Sequence, residues 1–175
     1  MMIKIKKAVN KTEFKIIEKL AIEILHEVYD QIIPAKHTDY FITEFQSVSA
    51  IGRQIKNENF SYFLLNFENK NVGYLGIQKL NKKLILSKLY ILESFRGLKI
   101  GKTALEYVNV FAANNRIEKI ELIVNQQNQN TIDIYLKKGF KIVTVPAKWK
   151  KRVEGSSSIT IDSYISYLKV LWRNI

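Results

Sequence analysis

The amino-acid sequence predicts a single mixed α/β (α+β) domain, with a central, mostly antiparallel sheet of about seven strands flanked by about four helices. Three observations predict this class. Apolar residues recur at helical spacing near the N-terminus. The middle of the chain has strand periodicity, with short polar connectors. Helix-like and strand-like segments then alternate towards the C-terminus.

The N-terminal third is typical of one strand followed by two helices. Residues 3–8 alternate apolar side chains with lysines, as a half-exposed strand does. Asn10 with Glu13 three positions later has the form of a helix start. The apolar stripe of the helix that follows, to about residue 31, comprises Phe14, Ile17, Ala21, Ile24 and Val28. After Pro34 the pattern predicts a second helix over about 38–56.

The middle of the chain predicts an antiparallel meander. Residues 61–67, 72–80 and 84–91 are three β-rich runs. The polar connectors between them, 68–71 and 81–83, have hairpin length.

The last part alternates helix and strand. The predicted elements are a helix over 100–115, a strand over 120–124, a helix over 131–138, and strands over 140–145 and 159–171. The complete order is therefore βααβββαβαββ. With 175 residues and no linker or repeat, we expect one domain over 1–171 and a short tail, 172–175.

Composition excludes several classes of site. The chain has no cysteine, which rules out disulfides, a thiolate nucleophile and a Cys-based zinc site. Its two histidines, His26 and His37, do not have the spacing of metal ligands, so we expect no metal. Neither a signal peptide nor an apolar run of ~18 residues is visible, so we expect a cytoplasmic protein without a membrane partner.

The charge balance indicates an anionic partner. There are 28 Lys+Arg against 16 Asp+Glu, so the formal net charge is 28 − 16 = +12. Such a surface attracts nucleic acid, an acidic membrane face or a phosphate-rich cofactor. A nucleic-acid-binding module is therefore one alternative, but the lysines are spread along the chain instead of massed on one element, and no specific nucleic acid is expected.

Residues 89–102 form a predicted strand–turn–helix with two glycines, Gly97 and Gly101. Three cationic side chains, Arg96, Lys99 and Lys102, accompany them. The first N–H groups of a helix are unpaired and point at one spot, and the helix dipole favours negative charge there. The segment therefore suits a diphosphate. The alternatives are that the glycines serve only the turn and that the lysines are a solvated face.

A second segment places two polar groups on one helical face. Asn128 and Tyr135 are seven residues apart, or about two turns and ~10.5 Å along a helix. A tyrosine, with an ordinary pKa near ~10, can protonate a departing thiolate, whose thiol has a pKa of ~8.5. The alternatives are that Asn128 caps the short helix and that Tyr135 is a core aromatic.

Together these segments resemble the two signature motifs of the GNAT N-acetyltransferase superfamily. The residues that carry the resemblance are the strand 89–91, the turn 95–101, Asn128 and the run 135–140. The resemblance extends over most of the chain, from about residue 3 to residue 171, and implies a GNAT-like fold. The chain departs from the family pattern at Lys99, where the family's turn usually has glycine.

The resemblance implies a cosubstrate, acetyl-CoA, and a role for each motif. Its pyrophosphate would lie on the backbone amides of Arg96, Gly97, Leu98, Lys99, Ile100, Gly101 and Lys102. The pantetheine would pair with Leu89, Tyr90 and Ile91, where the family opens the sheet between its fourth and fifth strands, and Asn128 would hold it. The Ile91 amide would meet the oxyanion and Tyr135 would protonate the CoA thiolate, in a direct transfer without a covalent enzyme intermediate.

The acceptor implied by the resemblance is a primary amine of a small molecule, peptide or protein. The residues of the acceptor end are aromatic and positive, which suits an acidic or phosphorylated acceptor: Tyr29, Ile33, Lys36, His37, Tyr40, Phe41, Trp149 and the basic run 148–152. For the general base, Glu93 and Glu121 are available, and spacing favours neither of them; Tyr29 and Tyr90 are further candidates for lining the acceptor site.

Two further points stay open. A catalytically idle acyl-CoA-binding regulatory domain is an alternative to an enzyme, because of the departure at Lys99. The last predicted strand, 159–171, is long and apolar enough to be shared between subunits, which leaves a homodimer open.

Overall fold

The computed structural model describes residues 2–31, 33–125, 129–137, 141–144 and 167–172. These residues form one seven-stranded sheet with the order β1-β2-β3-β4-β5-β7-β6. The strands are β1 (Ile3–Lys7), β2 (Phe60–Phe67), β3 (Lys70–Leu80), β4 (Lys83–Ile91), β5 (Lys119–Asn125), β6 (Lys141–Thr144) and β7 (Tyr167–Trp172). The helices are α1 (Lys11–Tyr29), α2 (Ala35–Phe45), α3 (Val48–Asn57), α4 (Ile100–Asn114) and α5 (Gln129–Lys137).

The predicted fold class is confirmed. Neighbouring strands are antiparallel except for β4 and β5, which are parallel. A parallel pair requires a crossover, and α4 with its flanking turns supplies it. The meander β2–β3–β4 and the helix start at Asn10 are as predicted: Asn10 Oδ1 accepts a hydrogen bond from Glu13 N at 3.0 Å.

The prediction of one helix over 38–56 is wrong, because two helices, α2 and α3, occupy this stretch and a fifth helix results. The chain leaves helical geometry at Gln46, with φ −127°. Ser47 then starts α3, since its Oγ accepts from Ala50 N at 3.3 Å. This cap replaces a missing backbone partner, and both short helices pack against α1.

The C-terminal boundary also differs from the prediction. Trp172, predicted to lie in the tail, is paired with Ile120 as the last residue of β7. The first part of the predicted final strand, 159–166, lies outside the described residues, as does the basic run 148–152.

Apolar layers cover both faces of the sheet. The layer under α4 contains Phe63, Leu65, Leu75, Leu84, Leu86, Ile100, Ala104 and Val108. The layer under α1–α3 contains Ile17, Ile24, Leu25, Ile51, Tyr62, Leu64 and Tyr74. Alternation along β2 divides these side chains between the layers, with Phe63 on one face and Tyr62 and Leu64 on the other. None of the described helices is long and apolar enough to cross a membrane.

Candidate active site

A gap opens between β4 and β5 halfway along their length. The two strands are paired from Lys83–Lys119 to Leu86–Leu122. Beyond this point β4 continues to Ile91 and β5 to Asn125, where β5 is paired with β7 on its other edge. The edges that diverge present unpaired backbone groups, which is where an extended ligand can add hydrogen bonds.

A β-bulge marks the start of this gap. Gly76 is opposite Lys88 but Ile77 is opposite Leu86, so Ser87 is the extra residue. The bulge reverses which face of the sheet each side chain occupies. Leu84 and Leu86 before it and Leu89 and Ile91 after it all pack in the layer under α4. Lys88 and Tyr90 are consequently turned towards α1–α3.

Backbone groups of Leu89 and Ile91 point into the gap. Leu92 N donates to Val72 O at 3.0 Å, which makes this a hydrogen-bonded pair of the antiparallel ladder. Hydrogen-bonded and non-hydrogen-bonded pairs alternate along such a ladder, so Ile91 opposite Gly73 and Leu89 opposite Leu75 are non-hydrogen-bonded. Their N–H and C=O groups therefore face away from β3, towards the β5 side.

The N-terminus of α4 lies next to the end of β4 and has no side-chain cap. Asn10 and Ser47 cap α1 and α3, but Lys99 at the N-cap of α4 makes no such bond, and the first turn of α4 has no acidic residue. The first backbone hydrogen bond of α4 is donated by Thr103 N to Lys99 O at 3.0 Å. The preceding amides lack an i−4 partner, and this favours an anion at the helix end.

The turn before α4 contains two left-handed residues. Gly97 has φ +80° and Lys99 has φ +63°. The second value is consistent with the glycine that the family resembled by the sequence usually has at this position, since a left-handed conformation costs an L-residue about 1–2 kcal/mol. The turn keeps this conformation with a lysine in place.

Gly101 is not required for packing. A Cβ added there would meet Ile91 Cδ1 at 3.5 Å, which is ordinary contact. The residue lies in the first turn of α4, where a missing side chain lets a ligand approach the free amides closely. Lys102, also in this turn, lies 3.7 Å from Glu106 Oε1 through its Nζ.

Arg96 is held by protein groups. Its Nε donates to Ile91 O at 3.1 Å, and its Nη2 lies 2.5 Å from Glu27 Oε1 on α1. Its own amide donates to Glu93 O at 2.9 Å within a short 3₁₀ turn, Glu93–Phe95. This amide is therefore engaged, and the free amides of the segment begin further along the chain.

Tyr135 is buried on α5, in the same apolar cluster that Leu89 and Ile91 contact. Burial raises the pKa of its phenol to about 12. Asn128, the other polar residue predicted for this helix, lies outside the described residues.

Comparison with known proteins decides the family. The sequence pattern of the "Acetyltransferase (GNAT) family" matches residues 22–140. The chain belongs to the GNAT acetyltransferase family. A curated relative, N-alpha-acetyltransferase 50 of Danio rerio, is 28% identical over 134 residues, which are 76% of either chain.

Solved structures of GNAT acetyltransferases share the fold. The paiA N-acetyltransferase of Thermoplasma acidophilum, solved in complex with coenzyme A, superposes with a TM-score of 0.80 at 20% identity, covering 99% of this chain and 100% of that one. An acetyltransferase of Streptococcus agalactiae gives a TM-score of 0.68 at 17% identity, covering 97% and 96%. This protein is thus an acyltransferase that uses CoA.

On the other face of the acetyltransferase sheet, two of the predicted acceptor-end tyrosines meet. Tyr29, at the end of α1, is hydrogen-bonded to Tyr90 of β4, and burial raises the pKa of Tyr29. Tyr90 in turn packs on Tyr74 with ring centroids 5.4 Å apart. Ile33 is buried and Tyr40 is exposed, while Trp149 lies outside the described residues.

The α1–α2 junction is more acidic than the charge count suggests. His26 contacts two carboxylates, Asp30 Oδ2 at 2.8 Å and Asp39 Oδ1 at 3.2 Å. Glu27 lies one residue further on. These carboxylates are absent from the predicted set of acceptor-end residues, because a net charge of +12 says nothing about where the acidic residues are.

Of the two carboxylates considered as general base, Glu121 is engaged elsewhere. It is buried on β5 and contacts Lys119 Nζ at 2.9 Å and Lys83 Nζ at 3.3 Å. Glu93 is exposed in the 3₁₀ turn.

Sequence reasoning missed Lys88, which is only 7% exposed. A lysine in a strand normally indicates a solvent-facing position, and the bulge that turns this one inwards has no sequence signal. Burial lowers the pKa of its ammonium to about 7, against an opposing effect of Glu58.

Proposed function

We propose that this acetyltransferase transfers the acetyl group of acetyl-CoA directly to a primary amine of a small molecule or peptide. The observation that carries the proposal is the gap between β4 and β5. It begins at the bulge at Ser87, contains the backbone groups of Leu89 and Ile91, and ends beside the uncapped N-terminus of α4.

The chain offers a matching group for each part of the cosubstrate. The free amides at the start of α4, including those of Gly101 and Lys102, suit the pyrophosphate. Leu89 offers its N–H and C=O groups to the amides of the pantetheine arm, in the manner of an added strand, whereas the Ile91 C=O accepts from Arg96 Nε and the Ile91 N–H is left for the thioester. Asn128 is proposed as a further partner of this arm.

In the transfer, the Ile91 N–H donates to the carbonyl oxygen of the thioester as negative charge develops on it. The amine nitrogen forms a bond to the carbonyl carbon, and the carbon–sulfur bond then breaks. Tyr135 gives its proton to the departing thiolate, and the proton that the amine nitrogen loses passes to solvent, from which the phenol is reprotonated. Because burial raises the pKa of its phenol to about 12, Tyr135 is protonated at neutral pH and has a proton to donate.

The acceptor amine is proposed to enter from the face that carries Tyr29 and Tyr90. These phenols line the opposite side of β4 from Ile91 and provide polar groups for an amine that must lose a proton. The similarity to N-alpha-acetyltransferase 50 supports a peptide α-amine as acceptor. The carboxylates of Asp30 and Asp39 nearby favour a cationic amine over an acidic one.

A CoA-release assay tests the proposal. Acetyl-CoA is mixed with the protein and with peptides that have a free N-terminus, with the same peptides N-terminally blocked, or with small primary amines. We expect free thiol to accumulate with one class of amine. Cofactor binding without thiol release from any amine would contradict the proposal and favour the idle acyl-CoA-binding domain.

A further inference from the structure

Glu27 of α1 contacts the cofactor turn, and none of the roles above uses it. Its Oε1 lies 2.5 Å from Arg96 Nη2, a contact between residues 69 positions apart in the chain. The same guanidinium donates through Nε to Ile91 O at 3.1 Å. One side chain therefore joins α1, the turn and the end of β4.

The turn needs such an anchor. Two of its residues, Gly97 and Lys99, have positive φ, and no side chain caps the helix that follows. Its apolar anchors are Phe95, with its ring 6.1 Å from that of Phe67, and Leu98, which contacts the layer under α4. A loop that must be ordered when its ligand binds loses affinity, and one that is held in place beforehand does not.

Glu27 is suited to hold Arg96 in one position. Its side chain is 27% exposed and that of Arg96 is 43% exposed, so the pair lies at the surface but is partly shielded. A guanidinium has five N–H donors in a rigid plane, so the contacts with Glu27 and Ile91 leave capacity for an anion. Because Glu27 and Ile91 hold the guanidinium plane of Arg96 from two sides, the direction of its remaining N–H donors is fixed.

We propose that Glu27 is a positioning residue for cofactor binding: by holding Arg96 against the Ile91 carbonyl, it fixes the turn whose amides receive the pyrophosphate. This inference rests on the proposed function. The side chain of Glu27 contacts Arg96 of the turn, so we expect its effect on the affinity for acetyl-CoA and not on the chemical step.

The test is a double-mutant cycle in the full-length protein, with the dissociation constant of acetyl-CoA measured by titration calorimetry. Glu27→Gln keeps the shape of the side chain and removes its charge. We expect it to weaken binding about 2- to 5-fold with kcat unchanged. In an Arg96→Ala background the same change has no further effect, because its partner is gone.

Glu23→Gln is the matched control. Glu23 is exposed on the same helix, one turn earlier, and its change alters the net charge equally. We expect it to leave the affinity unchanged, whereas an equal loss in Glu23→Gln would mean a general charge effect and overturn the inference. Circular dichroism confirms that each variant is folded before titration.

Two other results overturn the inference. One is an unchanged dissociation constant in Glu27→Gln while the wild type binds acetyl-CoA; this leaves the proposed function intact. The other is an equal loss with and without Arg96, which would separate Glu27 from the guanidinium. If the wild type itself does not bind acetyl-CoA, the proposed function fails and the inference fails with it.

Discussion

Lys88 Nζ lies 3.2 Å from Gln54 Oε1, inside the layer between the sheet and helices α1–α3. Tyr62 OH donates to the same oxygen at 2.5 Å. The ammonium also lies over the ring of Phe60, 4.6 Å from its centroid. The stem of the lysine crosses Gly76, where an added Cβ would be 3.2 Å from Lys88 Cβ. A buried amine is thus held by the Gln54 amide oxygen, by Ser87 Oγ at 3.4 Å and by aromatic rings.

This burial predicts that the free energy of unfolding rises with pH. The folded-state pKa of Lys88 is about 7, below the ordinary 10.5 of the unfolded chain. Between these values the unfolded chain binds more protons, so raising the pH favours the folded state by about 1.4 kcal/mol per unit at most. Urea unfolding between pH 7 and about 8.5 measures the slope, since the tyrosines of the unfolded chain, with an ordinary pKa near ~10, are still protonated there.

Lys88→Met removes the titrating group while keeping the length of the side chain. We expect the variant to lose most of the slope and to be more stable than the wild type at pH 7. Lys56→Met, on the exposed side of α3, should keep the wild-type slope. Equal slopes in the wild type and Lys88→Met would contradict the assignment.

Substitutions at Lys99 and Gly97 should change the stability of the protein in opposite directions. Lys99→Gly places a glycine at φ +63° and should stabilise the protein by about 0.5–1 kcal/mol. Gly97→Ala places a side chain at φ +80° and should destabilise it by about 1 kcal/mol. Chemical denaturation measures both; a loss of stability in Lys99→Gly would show that the lysine side chain makes a contact that outweighs the strain.

Gly73 is expected to be essential for the shape of β4. A Cβ there would lie 2.3 Å from the carbonyl oxygen of Tyr90, so the backbone beside Ile91 must move. Gly73→Ala should cost about 1–3 kcal/mol and weaken acetyl-CoA binding. The control is Gly52→Ala on α3, where nothing lies within 4 Å and alanine should stabilise by about 0.5–1 kcal/mol. Wild-type stability and affinity in Gly73→Ala would refute the prediction.

Tyr135→Phe tests the proposed proton donor. Only the hydroxyl is removed, so packing in the layer under α4 should survive, while kcat should fall about 10²-fold or more. The dissociation constant of acetyl-CoA should change little. Tyr107→Phe, on α4 against Phe63, is the control and should keep full activity. Steady-state CoA release measures both, and an unchanged kcat in Tyr135→Phe would remove Tyr135 from the mechanism.

The sequence could predict the sheet because strand periodicity and hairpin-length connectors are local signals. It could not predict the division of 38–56 into α2 and α3. Ser47 can cap a helix, but a serine within an amphipathic run is common, and only packing against α1 makes Ser47 a helix start. Local signals therefore predict that an element exists better than they predict where it begins and ends.

The same distinction between local signals and tertiary contacts applies to the candidate site. The turn with Gly97 and Gly101 is visible in the sequence, because glycine and the strand–helix order are local features. The contact of Glu27 with Arg96 and the burial of Lys88 depend on tertiary structure: one joins residues 69 positions apart and the other results from a bulge. No short-range pattern encodes either.

The most direct test of the central claim is thermal unfolding with acetyl-CoA, compared with ATP at equal concentration. ATP offers phosphates to the N-terminus of α4 but has no pantetheine arm for Leu89 and Ile91. At ~100 times its dissociation constant, a ligand stabilises by about 2.7 kcal/mol, or roughly 5–10 °C for a chain of this size. We predict such a shift with acetyl-CoA and a clearly smaller one with ATP. Equal shifts, or none with acetyl-CoA, would contradict a cofactor site between β4 and β5.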